Sequence, residues 1–168
     1  MRIGSQDLRE RRVDVVIETT MQNPAFFADS VAQYRSEGYR PEVAFLAVPQ
    51  ALSRQGILHR YHEQVRDHGH GRLTVPEKHE TSYSGILTSA ELIDAGRLAD
   101  TVVVFRRGNT LLYANHVGPD GQRGAPPRTR QAIEAERLRP WAETEVQEFE
   151  AVQQRLRTQM DPGHGLER

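Results

Sequence analysis

Val43-Ala44-Phe45-Leu46-Ala47-Val48-Pro49 is a run of six apolar residues closed by a proline. A continuous apolar run of this length suits a strand buried on both faces, and proline ends it because it cannot donate to a strand ladder. After Pro49, the residues Leu52, Ile57, Leu58, Tyr61 and Val65 recur at helical spacing and predict a helix over 50–67. A buried strand followed at once by a helix is the unit of an α/β fold, and similar units flank this one on both sides.

Upstream, Val13-Asp14-Val15-Val16-Ile17 predicts another buried strand, ended by Glu18-Thr19-Thr20. Asn23-Pro24 reads as the N-cap and first residue of a helix carrying Phe26, Phe27, Val31 and Tyr34, with Gly38 at its C′ position. Downstream, His68-Gly69-His70-Gly71 breaks the helix that follows Pro49. Pro76 opens a further helix towards Leu87, and Thr88-x-x-Glu91 predicts the capping box of the next, with Gly96 at its C′. Thr101-Val102-Val103-Val104-Phe105 is a third strand, and Arg107-Gly108-Asn109 a hairpin turn into Thr110–Ala114. A loop over 118–127 and helices over 129–138 and 141–158 complete the pattern. The expectation is a layered α/β fold with a mainly parallel sheet, one domain over 1–159 and a disordered tail over 160–168. Ligands of such sheets sit beyond the carboxyl ends of the strands.

Composition narrows the function. A net charge of −1, with acids and bases interleaved, gives no general pull toward nucleic acid or an anionic membrane. No apolar run approaches the roughly 20 residues of a spanning helix, and the start of the chain lacks the apolar stretch of a signal peptide. The absence of cysteine excludes disulfides and thiolate zinc sites and fits a reducing cytoplasm. Lys78 is the only lysine, so the positive charge is almost all arginine, the side chain that forks onto phosphate.

Three groups of residues are candidates for chemistry. Glu18, Thr19 and Thr20 combine a carboxylate and hydroxyls at a strand end, suited to a polar ligand such as a sugar; the alternative is a polar loop capping the next helix. Arg60 and Arg72 flank the glycine-rich break and are placed to close on phosphate oxygens in bidentate fashion; the alternative is two surface arginines. His59, His62, His68, His70 and His79 crowd one region, but without a cysteine or an ordered ligand spacing they read as surface or loop histidines, and no metal site is assigned. The chain has no Gly-x-x-x-x-Gly-Lys-Ser/Thr phosphate loop, its lysine lying in Pro76-Glu77-Lys78-His79-Glu80. Gly-x-Ser-x-Gly and the dinucleotide-binding glycine fingerprint are absent too.

The ordered set of segments resembles the zeta-toxin P-loop kinases. Val15 to Thr20 is similar to their strand-end Val-Ile-Glu-Gly-Thr, with Thr19 in place of glycine. Gly38-Tyr39 and Val43 to Pro49 resemble their next helix end and strand. His59-Arg60-Tyr61-His62-Glu63 resembles their Arg-Tyr-Glu helix, Arg72-Leu73-Thr74 with His79-Glu80 a following stretch, and Val103 to Arg107 a later strand. The resemblance implies a P-loop-kinase-like three-layer fold lacking the N-terminal strand, phosphate loop and helix. It implies phosphotransfer from ATP or GTP with Mg2+ to a UDP-sugar such as UDP-N-acetylglucosamine, and restraint by an antitoxin protein. It puts Glu18 and Thr20 in the sugar-nucleotide site and Arg60 and Arg72 on nucleotide phosphates, with Arg72 serving the transferred group. The resemblance also assigns the phosphate loop and the catalytic aspartate to a region before residue 1, so impaired or absent turnover is expected of these residues alone. The alternative is a non-catalytic protein that binds a UDP-sugar or an antitoxin. All these expectations require Glu18, Arg60 and Arg72 to converge at one rim of the sheet.

Overall fold

A computed structural model describes residues 12–118 and 120–160. Helix α1 (Pro24–Ser36) begins as its sequence dictates: Asn23 is extended, and its Oδ1 accepts the Phe26 N–H at 3.1 Å. It ends where Gly38 takes a positive φ of 88°, with Tyr39 N–H donating to the Tyr34 carbonyl at 3.1 Å. Strand β1 (Glu42–Ala47) leads through Pro49 into α2 (Gln50–His68), which closes on Gly69 at φ 74°. Next come α3 (Pro76–Gly96), β2 (Thr101–Arg106), β3 (Thr110–His116), α4 (Thr129–Leu138) and α5 (Glu143–Met160).

The three strands form one sheet in the order β1-β2-β3. β1 and β2 pair in parallel, with Val43 opposite Val102 and Phe45 opposite Val104; β2 and β3 pair antiparallel through a turn in which Gly108 and Asn109 both have positive φ. One sheet face presents Val43, Phe45, Ala47, Val102 and Val104, all buried. α4 lies across all three strands on this face and inserts Ile133, and α3 adds Ala90 and Ile93. Full burial of each of the Val, Ile and Phe side chains contributes about 1.5–3 kcal/mol. Arg128 offers no side-chain cap to α4; Asp94 of α3 does so instead, accepting from Thr129 N–H at 2.9 Å and Thr129 Oγ1 at 2.8 Å.

Four expectations need correction. The run Val43–Val48 is not buried on both faces: Leu46, in one row with Phe105 and Leu111, is 53% exposed, as is Leu111 itself. The segment Val13–Ile17 is not a strand. No described strand lies alongside it, so its peptide groups have no ladder to join, and Val16 is 95% exposed. Thr88-x-x-Glu91 starts no helix, because α3 runs unbroken from Pro76 and its buried stripe of His79, Gly85, Ser89, Ala90 and Ile93 continues straight through. At its end Arg97, not Gly96, takes the left-handed conformation, while Gly96 leaves room for the Leu98 side chain. The expected tail over 160–168 lies outside the described residues except for Met160, the last residue of α5.

Candidate functional site

A cavity of about 340 Å³ opens beyond the carboxyl ends of β1 and β2, the size of a small-molecule site. Its walls follow from helical geometry. Ser53, Gly56, Ile57 and Arg60 form an i, i+3, i+4, i+7 stripe on α2, and His79, Ser82 and Ile86 form a second stripe on α3. Thr20 enters from the segment before α1, Thr74 from the α2–α3 loop, and Arg107 from the β2–β3 turn. Among the described residues no aspartate or glutamate lines it.

Thr20 is held by its neighbour. Thr19 Oγ1 accepts the Met21 N–H at 3.1 Å, and Met21, at φ 53°, is buried against α3. A Cβ on Gly85 would stand 2.3 Å from the Met21 carbonyl oxygen, so only glycine lets this backbone dock. Gly56 is the second glycine that matters. Glycine inside a helix costs about 1 kcal/mol relative to alanine, and here it leaves space that the Arg107 guanidinium fills.

The floor of the cavity is a chain of hydrogen bonds. Ser53 Oγ lies 3.0 Å from His79 Nε2, and His79 Nδ1 lies 3.0 Å from Glu80 Oε1. Glu80 also accepts from Arg54 at 2.7 Å and from Gln50 Nε2 at 2.7 Å. The Arg54 hydrogen bond, then that from His79, holds the Glu80 carboxyl below its usual range. Carboxylate and imidazole thus hold the Ser53 hydroxyl in place at the cavity wall. His79, expected at the surface, is buried and stacks on Tyr83 at 5.5 Å, whose hydroxyl donates to the Val48 carbonyl at 3.0 Å. Arg137 covers the other side of this aromatic pair, 3.6 Å from the Tyr83 ring centre. Burial raises the Tyr83 hydroxyl and lowers the Arg137 guanidinium from their ordinary pKa values.

Of the residues singled out from sequence, Thr20 and Arg60 line this cavity. The expected convergence of Glu18, Arg60 and Arg72 is not met at this cavity: Glu18 and Arg72 are exposed and do not line it, and the Arg72 backbone N–H donates to Gln64 Oε1 at 3.0 Å. Ser53, His79 and Arg107 were not expected there. The first two could have been found from the stripes on α2 and α3, whereas Arg107 arrives by closure of the hairpin. Among the described residues no three His, Cys, Asp or Glu side chains stand together as a metal-binding group. His59 instead meets Glu63 at 3.4 Å, and His70 Nδ1 the His68 carbonyl at 2.9 Å.

The family model described as Zeta toxin matches residues 4–118, more than half of the chain and every residue lining the cavity. The chain belongs to the zeta toxin family. A solved structure from the PezAT chromosomal toxin–antitoxin system of Streptococcus pneumoniae superposes with a TM-score of 0.72 at 13% identity. That match covers 93% of this zeta toxin chain and 59% of the pneumococcal one, and at this identity it establishes the shared P-loop-kinase fold alone. No curated protein sequence matches the chain. No described helix of this family member is long and apolar enough to cross a membrane.

Proposed function

We propose that this zeta toxin chain supplies nucleotide-phosphate and sugar-nucleotide contacts of a phosphotransferase acting on a UDP-sugar of the UDP-N-acetylglucosamine kind. The observation that carries this reading is the cavity itself: Thr20 and Arg60 line one space with hydroxyl side chains and, among the described residues, no carboxylate. A phosphate ligand needs donors and positive charge without a competing anion, and the lining provides both.

Phosphoryl transfer rests almost wholly on positioning and electrostatic stabilisation. ATP or GTP with Mg2+ supplies the transferable group when bound. Arg60 would hold its phosphate oxygens, and Arg72, two residues before Thr74 in the α2–α3 loop, would join as that loop closes. Thr20 and Glu18, on one segment, would bind the sugar nucleotide. The 168 residues contain no Gly-Lys-Ser/Thr phosphate loop, so these residues alone are expected to turn over immeasurably slowly. Restraint by an antitoxin and residence in the cytoplasm belong to the same proposal. The toxin–antitoxin origin of the pneumococcal structure supports the first, and a cysteine-free chain the second.

Calorimetry with UDP-N-acetylglucosamine, run beside a radiolabelled ATP transfer assay, tests the reading. Binding that weakens in Glu18→Ala supports the substrate assignment, with or without turnover. No heat at millimolar ligand sinks it. Turnover at the rate of an intact kinase would overturn the expectation that these residues alone are inactive.

A further inference from the structure

Arg106 ends β2 and Arg107 opens the turn after it, and among the described residues only Arg106 of the two meets a carboxylate. Elsewhere Arg54, Arg66, Arg130 and Arg139 are all ion-paired. Arg60 and Arg107 have neither an ion pair nor a side-chain hydrogen bond among the described residues. Both line the same cavity, and Glu80, which meets the lining residue His79, is already committed to Arg54, Gln50 and His79.

The placement of Arg107 is specific. Its Nη2 lies 2.9 Å from where a Cβ on Gly56 would stand, its Nη1 3.6 Å and its Cζ 3.7 Å. The whole guanidinium therefore rests on α2 at its one position without a side chain in this stripe. Arg60 is four residues further along the same helix face, about 6 Å along the axis, and helical side chains lean back toward the N-terminus. Two cations are thus brought to one space from two elements. Among the described residues no acid lines that space to offset their mutual repulsion.

We propose that Arg107 is the second arm of an anion clamp, gripping with Arg60 the oxygens of a di- or triphosphate group. This rests on the reading of Arg60 as a phosphate contact and extends it to a residue of the β2–β3 turn. Each guanidinium presents a planar fork to two phosphate oxygens, and Thr74 adds a hydroxyl to the lining. Gly56 is the clamp's seat: any side chain there displaces one arm.

The test is calorimetric titration of the full chain with inorganic pyrophosphate. Arg107→Ala and Arg60→Ala are each expected to weaken binding by about tenfold or more, which corresponds to about 1.4 kcal/mol. Arg107→Lys, which keeps the charge but loses the fork, should fall between Arg107→Ala and the unmodified chain. Gly56→Ala should weaken binding while circular dichroism and urea unfolding show an intact fold. Arg40→Ala, at the far end of the sheet and paired with Glu42, removes equal charge and should have little effect. The proposal is overturned if Arg107→Ala binds like Arg40→Ala, or if the folded chain takes up no pyrophosphate. Loss of the Arg107 effect with the Arg60 effect intact strikes this inference alone. Failure of UDP-N-acetylglucosamine to bind, with both arginines still needed for pyrophosphate, strikes the sugar reading and supports the clamp.

Discussion

Arg106 and Arg107 are neighbours in sequence with opposite surroundings. Arg106 turns toward α4, where its Nε and Nη2 donate to the buried Glu136 at 2.8 and 2.7 Å. Glu136 also accepts from Arg139 at 2.9 Å, and Arg139 in turn binds Glu145. Four side chains thus tie β2, α4 and the start of α5 into one closed network. Arg107 turns the other way, onto the bare backbone of Gly56, and meets no acid among the described residues. The lesson is that a charge satisfied within the protein holds the fold together, while a charge left open to a cavity is available to a ligand. The same residue type serves both ends, and only the partners distinguish them.

The largest effect should come from the closed side. Glu136→Ala leaves Arg106 and Arg139 without their shared acceptor, and urea unfolding should show a loss of about 3 kcal/mol. A loss as small as that of a surface substitution would break the contrast. Gly85→Ala comes next. Its methyl group would meet the Met21 carbonyl oxygen, so α3 or the Thr19–Met21 segment must shift, at a cost of about 1–3 kcal/mol in the same assay. If stability is unchanged, Thr20 is not anchored as described.

Acid sharpens the comparison further. The Arg139 hydrogen bond, helped by the Ala142 N–H, pulls the Glu145 carboxyl from 4.5 to about 2 in the fold. A folded-state pKa below the unfolded one means stability that is present above about pH 4.5 and is lost as pH falls toward 2. Glu145→Gln should flatten this part of the pH–stability profile; an unchanged slope assigns the acid sensitivity to other carboxyls. The smallest effect belongs to the open side. Arg107→Ala should leave stability within about 0.5 kcal/mol of the parent, because no partner loses a bond. A large destabilisation would make Arg107 structural.

The sequence made most elements legible because their signals are local. Asn23-Pro24 and Gly38 bound α1, Pro49 separates β1 from α2, and Gly108-Asn109 turns β2 into β3, each through backbone preferences that need no tertiary partner. What failed was what depends on neighbours. Val13–Ile17 has the composition of a strand, but pairing requires a strand beside it. Thr88 and Glu91 have the spacing of a cap, but the buried stripe of α3 overrides it. In the site, Thr20 was visible as a hydroxyl after an apolar run and Arg60 as a cation on the helix before the glycine-rich break. The placing of Arg107 on Gly56 was not, because it joins residues about fifty positions apart through the closure of a hairpin.

Lys78 sits in the first turn of α3, one residue before His79, and is the only lysine in the chain. A lysine-specific endoproteinase therefore has one site, inside the helix that walls the cavity. Cutting requires that turn to unwind, since a protease needs an extended strand of substrate. The rate at which the chain falls into two pieces would gauge local opening of α3 directly, and a ligand seated against His79 and Ser82 should slow it.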